Sequence, residues 1–230
     1  MASQPNSRTP RLAKAGYHHG NLRASLVQAA LKLLDEQGPA ALKLRGIAQV
    51  NGVTQTASAY HFTDKEGLEC AIAAACFREL IERLTVAISV SAAPEERLLA
   101  AMRAYVVYAE TSPARFQFMF LARLIGSTRG DEVKTAARTC FGLLRLLVAE
   151  LVNHAGGDSA SVEAETLTAW SVVHGFGKIS AGSIIPSQVG QVVSHDEARE
   201  AVISSYVDGL TAKLAARRSG GTVMERGHGR

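Results

Sequence analysis

A cluster of small and hydrogen-bonding side chains between residues 54 and 61 carries the clearest chemical signal in the sequence. Such side chains can approach the edges of DNA bases and the phosphates between them. Lys65 is expected in the first turn of the helix that follows this cluster, where its positive charge is unfavourable for the helix dipole. A phosphate bound at that helix end would make the same charge favourable. The alternative is that Asp64 and Glu66 simply neutralise Lys65 at the surface. The predicted DNA-binding residues are Arg45, Thr54, Gln55, Thr56, Ala57, Ser58, Tyr60, His61 and Lys65.

Two short helices joined by a tight turn must position this cluster. Apolar residues recur at the spacing of one helical face, at Leu44, Ile47 and Ala48. Asn51-Gly52 predicts the end of that helix, because both residues tolerate the left-handed conformation. Thr54 can then cap the next helix through its hydroxyl. This layout is that of a helix-turn-helix that reads DNA, although any small helical domain contains corners of this kind.

A second cluster, of large apolar side chains, lies in residues 116–120. Because these side chains cannot all lie on one helical stripe, the helix is buried on several sides or lines a cavity. Ligand pockets are lined mainly by apolar and aromatic groups with a few polar ones, whereas plain core is the alternative for any single residue. The predicted cavity residues are Tyr105, Phe116, Met119, Phe120, Arg123, Phe141, Trp170 and His174, with Phe176 as a further candidate.

The charge of the chain is unevenly distributed. The net charge is +4, and residues 1–68 hold eight Lys and Arg against four acidic residues, which is itself +4. Residues 211–230 hold five against one, again +4, so that the middle of the chain must be near −4. A basic terminal module beside an acidic middle is typical of a protein that binds a polyanion, although lysines and arginines can also merely keep a small domain in solution.

Catalytic and metal-binding signals are weak. The sequence has no Gly-x-Ser-x-Gly elbow, phosphate loop or His-Glu-x-x-His motif. Cys70 and Cys76 are too far apart around a helix to share a metal, and His18-His19 has no further ligands at a recognisable spacing. We therefore expect no enzyme activity, metal or cofactor. Three cysteines without a paired pattern, and no apolar leader or spanning segment, predict a cytoplasmic protein.

The pattern of helix starts and stops predicts an all-α protein of about nine helices. The first helix begins after a cap at Asn21 and ends at about Gln37, before Gly38-Pro39. Capping boxes at residues 63–66 and 194–197 open a helix to about Val90 and a last helix to about Arg217. Between them, helices begin at residues 94 and 113 and run over about 132–154 and about 162–185.

The domain boundaries follow from these elements. Residues 1–16 form a basic arm and residues 219–230 a tail, both expected to be disordered. We expect residues 17–68 to form a DNA-binding domain and residues 69–218 to form a second domain, to which the resemblance described below assigns effector binding and dimerisation. Small residues in the helix over about 162–185, together with apolar positions of the last helix over about 194–217, predict either a homodimer surface or internal packing.

Five motifs occur together in the chain: Tyr17-His-His-Gly-Asn-Leu-Arg23, Leu44-x-x-Ile47-Ala48-x-x-x-Gly52-Val53-Thr54, His61-Phe62-x-Asp64-Lys65-Glu66-x-Leu68, Ser112-Pro113-Ala-Arg-Phe-Gln-Phe-Met119-Phe120 and Trp170-Ser-Val-Val-His174-Gly175. The first three, over about residues 17–68, resemble the TetR/AcrR family of transcriptional regulators, and the last resembles the Trp-His-Gly signature of one C-terminal subclass. The resemblance implies an all-helical homodimer with an N-terminal DNA-binding domain and a C-terminal domain that binds a small-molecule effector and dimerises.

The reading helix departs from the family pattern at two positions. Ala59 stands where the family has tyrosine, and Tyr60 is one place farther on, about 100° around the helix. Ser58 stands where the family favours proline or an apolar residue. The departures predict either an altered operator preference or a reduced affinity for DNA.

Together these patterns predict a homodimeric repressor that binds a palindromic double-stranded DNA operator and is released by a small apolar or aromatic effector. One alternative is a helical dimeric DNA-binding protein without an effector. The other is a helical small-molecule binding protein or enzyme. A membrane partner is not expected.

Overall fold

The computed structural model of the chain describes residues 22–90, 92–182 and 193–224. These ranges contain α-helices and no strand, which confirms the predicted all-α class. The predicted arm (1–16), the cap at Asn21, the expected helix end at Ile185 and residues 225–230 lie outside this description. The helices are α1 (Leu22–Gln37), α2 (Leu44–Val50), α3 (Gln55–Phe62), α4 (Lys65–Ile88), α5 (Pro94–Thr111), α6 (Pro113–Met119), α7 (Ala122–Ile125), α8 (Asp131–His154), α9 (Val162–Ala181) and α10 (His195–Met224).

The first three helices form the helix-turn-helix unit. Helix α1 ends at Gly38, whose φ of 76° lies in the left-handed region that glycine adopts without strain. Gly52, with φ of 64°, makes the turn between α2 and α3 in the same way. The Ala57 amide donates to the Thr54 hydroxyl over 3.2 Å, so that Thr54 caps α3 as predicted.

Helix α4 begins one residue later than the predicted capping box requires. Its N-cap is Asp64, whose carboxylate accepts from the Gly67 amide over 2.9 Å. Thr63 has a φ of 62° and lies outside the helix. Glu66 does not return to the cap; its carboxylate accepts a hydrogen bond from the Ser127 hydroxyl over 2.5 Å. The predicted capping box at residues 63–66 is therefore wrong, since Glu66 is hydrogen-bonded to Ser127 of another segment.

The second half of the chain packs around α4 and α5. Helix α4 lies against α5 and α8, and α9 and α10 pack onto α5 from the other side. Helix α6 buries Phe116, Phe118 and Met119, so that this short helix is buried on several sides, as expected. The one-turn helix α7, which no sequence signal indicated, connects α6 to the loop before α8.

The last helix follows the predicted capping box and then runs longer than expected. Glu197 accepts from the Ser194 amide over 2.8 Å, and the Glu197 amide donates to the Ser194 hydroxyl over 3.2 Å. Helix α10 then continues to Met224, so the stretch 219–224 that we expected to be disordered is helical. None of the helices in the described ranges is both long and apolar enough to cross a membrane.

Candidate functional site

Helix α3 exposes two of its described side chains to solvent. Thr56 is exposed, and the Tyr60 ring is 88% exposed, which is unusual for a large aromatic side chain without a binding role. His61 is half-buried between the neighbouring rings of Tyr60 and Phe62, and Ala57 is half-buried. The side chains of Gln55, Ser58 and Ala59 lie outside the described part of the structure.

The two flanking cations lie on the neighbouring helices. Arg45 is exposed on α2. Lys65 is exposed in the first turn of α4, and its Nζ atom lies 3.6 Å from Glu69 Oε1. The partner that the structure gives to Lys65 is therefore Glu69, one turn along the helix, rather than Asp64 or Glu66.

A close approach between backbones fixes the corner between α3 and α4. The Asp64 amide donates to the Phe62 carbonyl over 2.6 Å, and a Cβ atom placed on Gly67 would lie 2.2 Å from the same carbonyl oxygen. Phe62 itself is buried in the core, with the Arg23 guanidinium 5.5 Å from its ring centroid. Only glycine at position 67 allows α3 to end this close to α4.

A segment of the second domain holds the first turn of α4. We call residues 122–129 the α7 segment. Arg123 donates to Glu69 Oε2 over 2.6 Å, and Arg129 forms an ion pair with Asp64. Glu69 is only 4% exposed, so its carboxylate depends on this arginine and on Lys65 for compensation of its charge. The α7 segment thus contacts α4 on both sides of Lys65, at the Asp64 cap and one turn along the helix at Glu69.

Two further ion pairs tie α1 to the second domain. Arg23 near the start of α1 lies 2.5 Å from Glu132 of α8. Near the other end of α1, Asp35 lies 2.5 Å from Arg115 of α6. The DNA-binding helices are therefore held at several points by the domain behind them.

A cavity of about 780 Å³ lies between α4, α5, α7, α8 and α9. Its volume falls within the range of about 300–1,000 Å³ that is typical of small-molecule sites. Five of the predicted residues line it, namely Tyr105, Phe120, Phe141, Trp170 and His174. The wall also includes Phe77, Leu84, Met102, Ala122, Ile125, Gly126, Arg138, Cys140, Leu144, Leu147 and Lys178.

Four predicted cavity residues, including the further candidate Phe176, do not line the cavity. Phe116 and Met119 are fully buried but do not line the cavity. Phe116 packs behind its wall, with its ring centroid 5.6 Å from that of Tyr105. Arg123 points to Glu69 instead, because an arginine finds its best partner in a buried carboxylate. Lys178 was missed, although it follows Trp170 and His174 at four-residue intervals along one face of α9.

The wall of the cavity near α9 contains the few polar groups. Tyr105 Oη lies 2.9 Å from His174 Nδ1, and the His174 ring stacks on Trp170 at 5.1 Å between ring centroids. Burial lowers the pKa of His174 to about 4, and the nearby charge of Lys178 acts in the same direction. Burial also raises the pKa of Tyr105. At neutral pH this pair is therefore uncharged.

The helix-turn-helix of α2 and α3 places the protein in the class of DNA-binding regulators. Residues 26–72 match the family model for bacterial regulatory proteins of the tetR family. Residues 98–205 match the model for the tetracyclin repressor-like C-terminal domain. The chain belongs to the TetR/AcrR family of transcriptional regulators, and its helix-turn-helix is a DNA-binding domain. The family consists of regulators and not of enzymes. No curated protein matches the sequence closely.

Solved structures share the fold over most of the chain. A protein of unknown function from Rhodococcus sp. RHA1 is 25% identical, with a TM-score of 0.74 over 85% of this chain and 98% of its own. A TetR/AcrR-family regulator from Thermobifida fusca YX-ER1 is 22% identical, with a TM-score of 0.60 over 81% and 97%. The ketosteroid transcriptional regulator KstR2 of Mycobacterium tuberculosis is 17% identical, with a TM-score of 0.55 over 81% and 93%.

Proposed function

We propose that the protein is a homodimeric repressor that binds a palindromic operator and releases it when a small apolar or aromatic effector fills the cavity. Family membership supports transcription regulation and DNA binding. The contacts of the α7 segment carry the proposal of effector control. This segment lines the cavity on one side and pairs with the first turn of α4 on the other.

The proposed DNA-binding surface consists of the exposed side of α3 and the cations beside it. Tyr60 and Thr56 face solvent, and Arg45 and Lys65 lie on the two adjoining helices. The undescribed side chains of Gln55 and Ser58 belong to the same helix. We propose that α3 enters a major groove while the two cations contact phosphates. In a dimer, two copies of α3 would read half-sites about 34–36 Å apart, or a multiple of that distance.

The proposed dimer surface lies on α9 and α10. Leu167 and Ile179 of α9 are 55% and 43% exposed, although each is a large apolar side chain. Gly175 of α9 and Gly209 of α10 are also exposed, and a Cβ atom at either would meet nothing within 4 Å. A surface of small and apolar groups lets helices of two protomers pack closely, as an isologous two-fold interface requires.

Effector control is proposed to act through the α7 segment. Ala122, Ile125 and Gly126 line the cavity, while Arg123 and Arg129 of the same segment pair with carboxylates of α4 and its cap. An effector that displaces the cavity side of the segment also moves these arginines. The first turn of α4 would then shift, and with it α3, which is fixed to α4 through the corner at Gly67. Coupling of this kind typically amounts to about 1–3 kcal/mol, or about 5–150-fold in affinity.

A ligand screen followed by a DNA-release assay tests this function. Apolar and aromatic small molecules are screened for an increase in Tm, and each hit is titrated into the protein–DNA complex. We expect hits to weaken DNA binding at least about fivefold. Binding of DNA with no hit in the screen would favour the alternative of a DNA-binding protein without an effector. Absence of salt-dependent DNA binding would contradict the regulator itself.

A further inference from the structure

Lys178 is a cation in the wall of a mainly apolar cavity, without an acidic partner among the residues that the structure describes. Its Nζ atom lies 5.6 Å from the centroid of the Phe116 ring and 5.9 Å from that of Phe120. The described ranges contain every acidic residue of the chain except Glu225. The groups that stabilise the positive charge of Lys178 are therefore the rings of Phe116 and Phe120 and not a carboxylate.

An ammonium group in such surroundings is poorly stabilised. Burial lowers the pKa of Lys178, because it penalises the charged form. The faces of two phenylalanine rings recover only part of that loss. An anion placed beside Lys178 would recover much more, since charge-assisted hydrogen bonds are about twice as strong as neutral ones.

The remaining polar groups of the wall leave Lys178 as the charge inside the cavity. Tyr105 and His174 are neutral and bonded to each other. Arg138 also lines the cavity, but it is exposed and donates to the Thr135 hydroxyl over 3.5 Å, so it stands where the cavity meets solvent. No Asp or Glu of the described chain lines the cavity. An anion that enters thus meets positive charge at the mouth and again at Lys178.

We propose that the effector is an apolar or aromatic carboxylic acid whose carboxylate pairs with Lys178 while its hydrocarbon body fills the cavity. A single ammonium matches the single charge of a carboxylate. Apolar side chains such as Leu84, Met102 and Leu147 supply the surface for the rest of the molecule. This assignment names the ligand class of the effector site and rests on the proposed function.

Paired acids and esters test the assignment in the full-length protein. Isothermal titration calorimetry compares dodecanoate with methyl dodecanoate, and naphthoate with methyl naphthoate. The wild type should bind each acid at least about tenfold more tightly than its ester. In Lys178→Gln the acid should bind no more tightly than its ester, while the Kd of the ester should stay within about threefold of the wild-type value. Lys178→Arg, which keeps the charge, should retain the preference for the acid.

Arg138→Gln is the matched control, because it removes the other cation of the wall. It should keep the preference for the acid. The assignment is overturned if acids and esters bind the wild type equally, if neither binds, or if the preference survives Lys178→Gln or disappears in Arg138→Gln. Esters that release DNA as well as the acids would overturn the ligand class but leave the proposed function standing. Acids that bind through Lys178 without releasing DNA would support the ligand class but contradict the proposed function.

Discussion

Substitution of Lys65 tests the proposed phosphate contacts through the salt dependence of DNA affinity. This lysine is exposed in the first turn of α4, where backbone amides also attract phosphate. Lys65→Gln should weaken binding to all DNA sequences alike. Removing one phosphate-binding cation reduces the slope of log affinity against log salt by about 1, hence by about 2 for a dimer.

Lys32→Gln provides the control for this change. Lys32 is exposed on α1 and lies 3.8 Å from Glu36, so its removal also changes the charge of the same domain by one. Its salt slope should equal that of the wild type. A Lys65→Gln slope equal to that of Lys32→Gln would remove Lys65 from the phosphate contacts.

Gly67 fixes the angle between the reading helix and α4. A Cβ atom there would lie 2.2 Å from the Phe62 carbonyl oxygen, so Gly67→Ala must displace one backbone from the other. We expect a loss of about 1–3 kcal/mol in the free energy of unfolding and a fall in DNA affinity. Gly142→Ala, where a Cβ atom meets nothing within 4 Å, should instead add about 0.5–1 kcal/mol and leave DNA affinity unchanged. Equal effects of the two changes on DNA affinity would contradict this role of Gly67.

His174 should make the stability of the protein sensitive to mild acid. Its pKa is about 4 in the folded protein, against 6.5 for an ordinary histidine. Between these values the unfolded chain binds more protons, so this contribution to stability is present above pH 6.5 and is lost as the pH falls toward 4. Urea unfolding at about pH 7 and about pH 4.5 should show a larger loss for the wild type than for His174→Asn. Equal losses would contradict the burial of a neutral His174.

Single residues differed in how well the sequence predicted them. The buried face of α2 at Ile47 and Ala48 followed from an apolar spacing that is local to one helix. The position of the Arg123 side chain could not be predicted in this way. Its partner Glu69 lies 54 positions away in the sequence, and only the tertiary fold brings the two residues together. Lys178 was within reach of local reasoning, since it extends the stripe formed by Trp170 and His174.

The α7 segment should transmit the effector signal from the cavity to α4. Arg123→Gln removes its ion pair with the buried carboxylate of Glu69. We expect the affinity for a cavity ligand to change little, because Arg123 does not line the cavity. Ligand-induced release of DNA should fall from the typical range of about 5–150-fold to less than about threefold. Fluorescence anisotropy of labelled DNA with and without ligand measures both states.

A matched ion pair controls for loss of stability. Arg97 of α5 lies 2.6 Å from Glu150 of α8, and neither residue lines the cavity. Arg97→Gln should leave ligand-induced release at its wild-type value. Full release in Arg123→Gln, or an equal defect in Arg97→Gln, would show that the signal takes another route.

Helix existence and most helix ends were predictable, and the exceptions have physical causes. Gly38, Gly52 and the capping box at residues 194–197 act locally, so the sequence alone indicates the ends they make. The start of α4 was misplaced, because Glu66 bonds to Ser127 from a distant segment. Helix α7 has four residues and no cap signal, and tertiary packing against α4 and α8 supports it instead.

At the scale of the whole molecule, the proposed dimer requires the exposed apolar face of α9. Leu167→Arg places a charge on that face and should convert the dimer to a monomer. Since one protomer contacts a single half-site, operator affinity should fall with it. Val86→Arg is the control, because Val86 is 65% exposed on α4, away from α9 and α10. Sedimentation velocity distinguishes the two, and a Leu167→Arg dimer would contradict the proposed surface.

Binding-site selection from random double-stranded DNA tests whether the protein is a dimeric regulator that binds an operator. The full-length protein should enrich an inverted repeat, with half-sites about 34–36 Å or a multiple apart. Affinity for that sequence should fall steeply with salt and exceed affinity for random DNA by about a thousandfold or more. Selection that returns no common sequence, or a single unrepeated site bound by one protomer, would contradict the account of a dimeric operator-binding regulator.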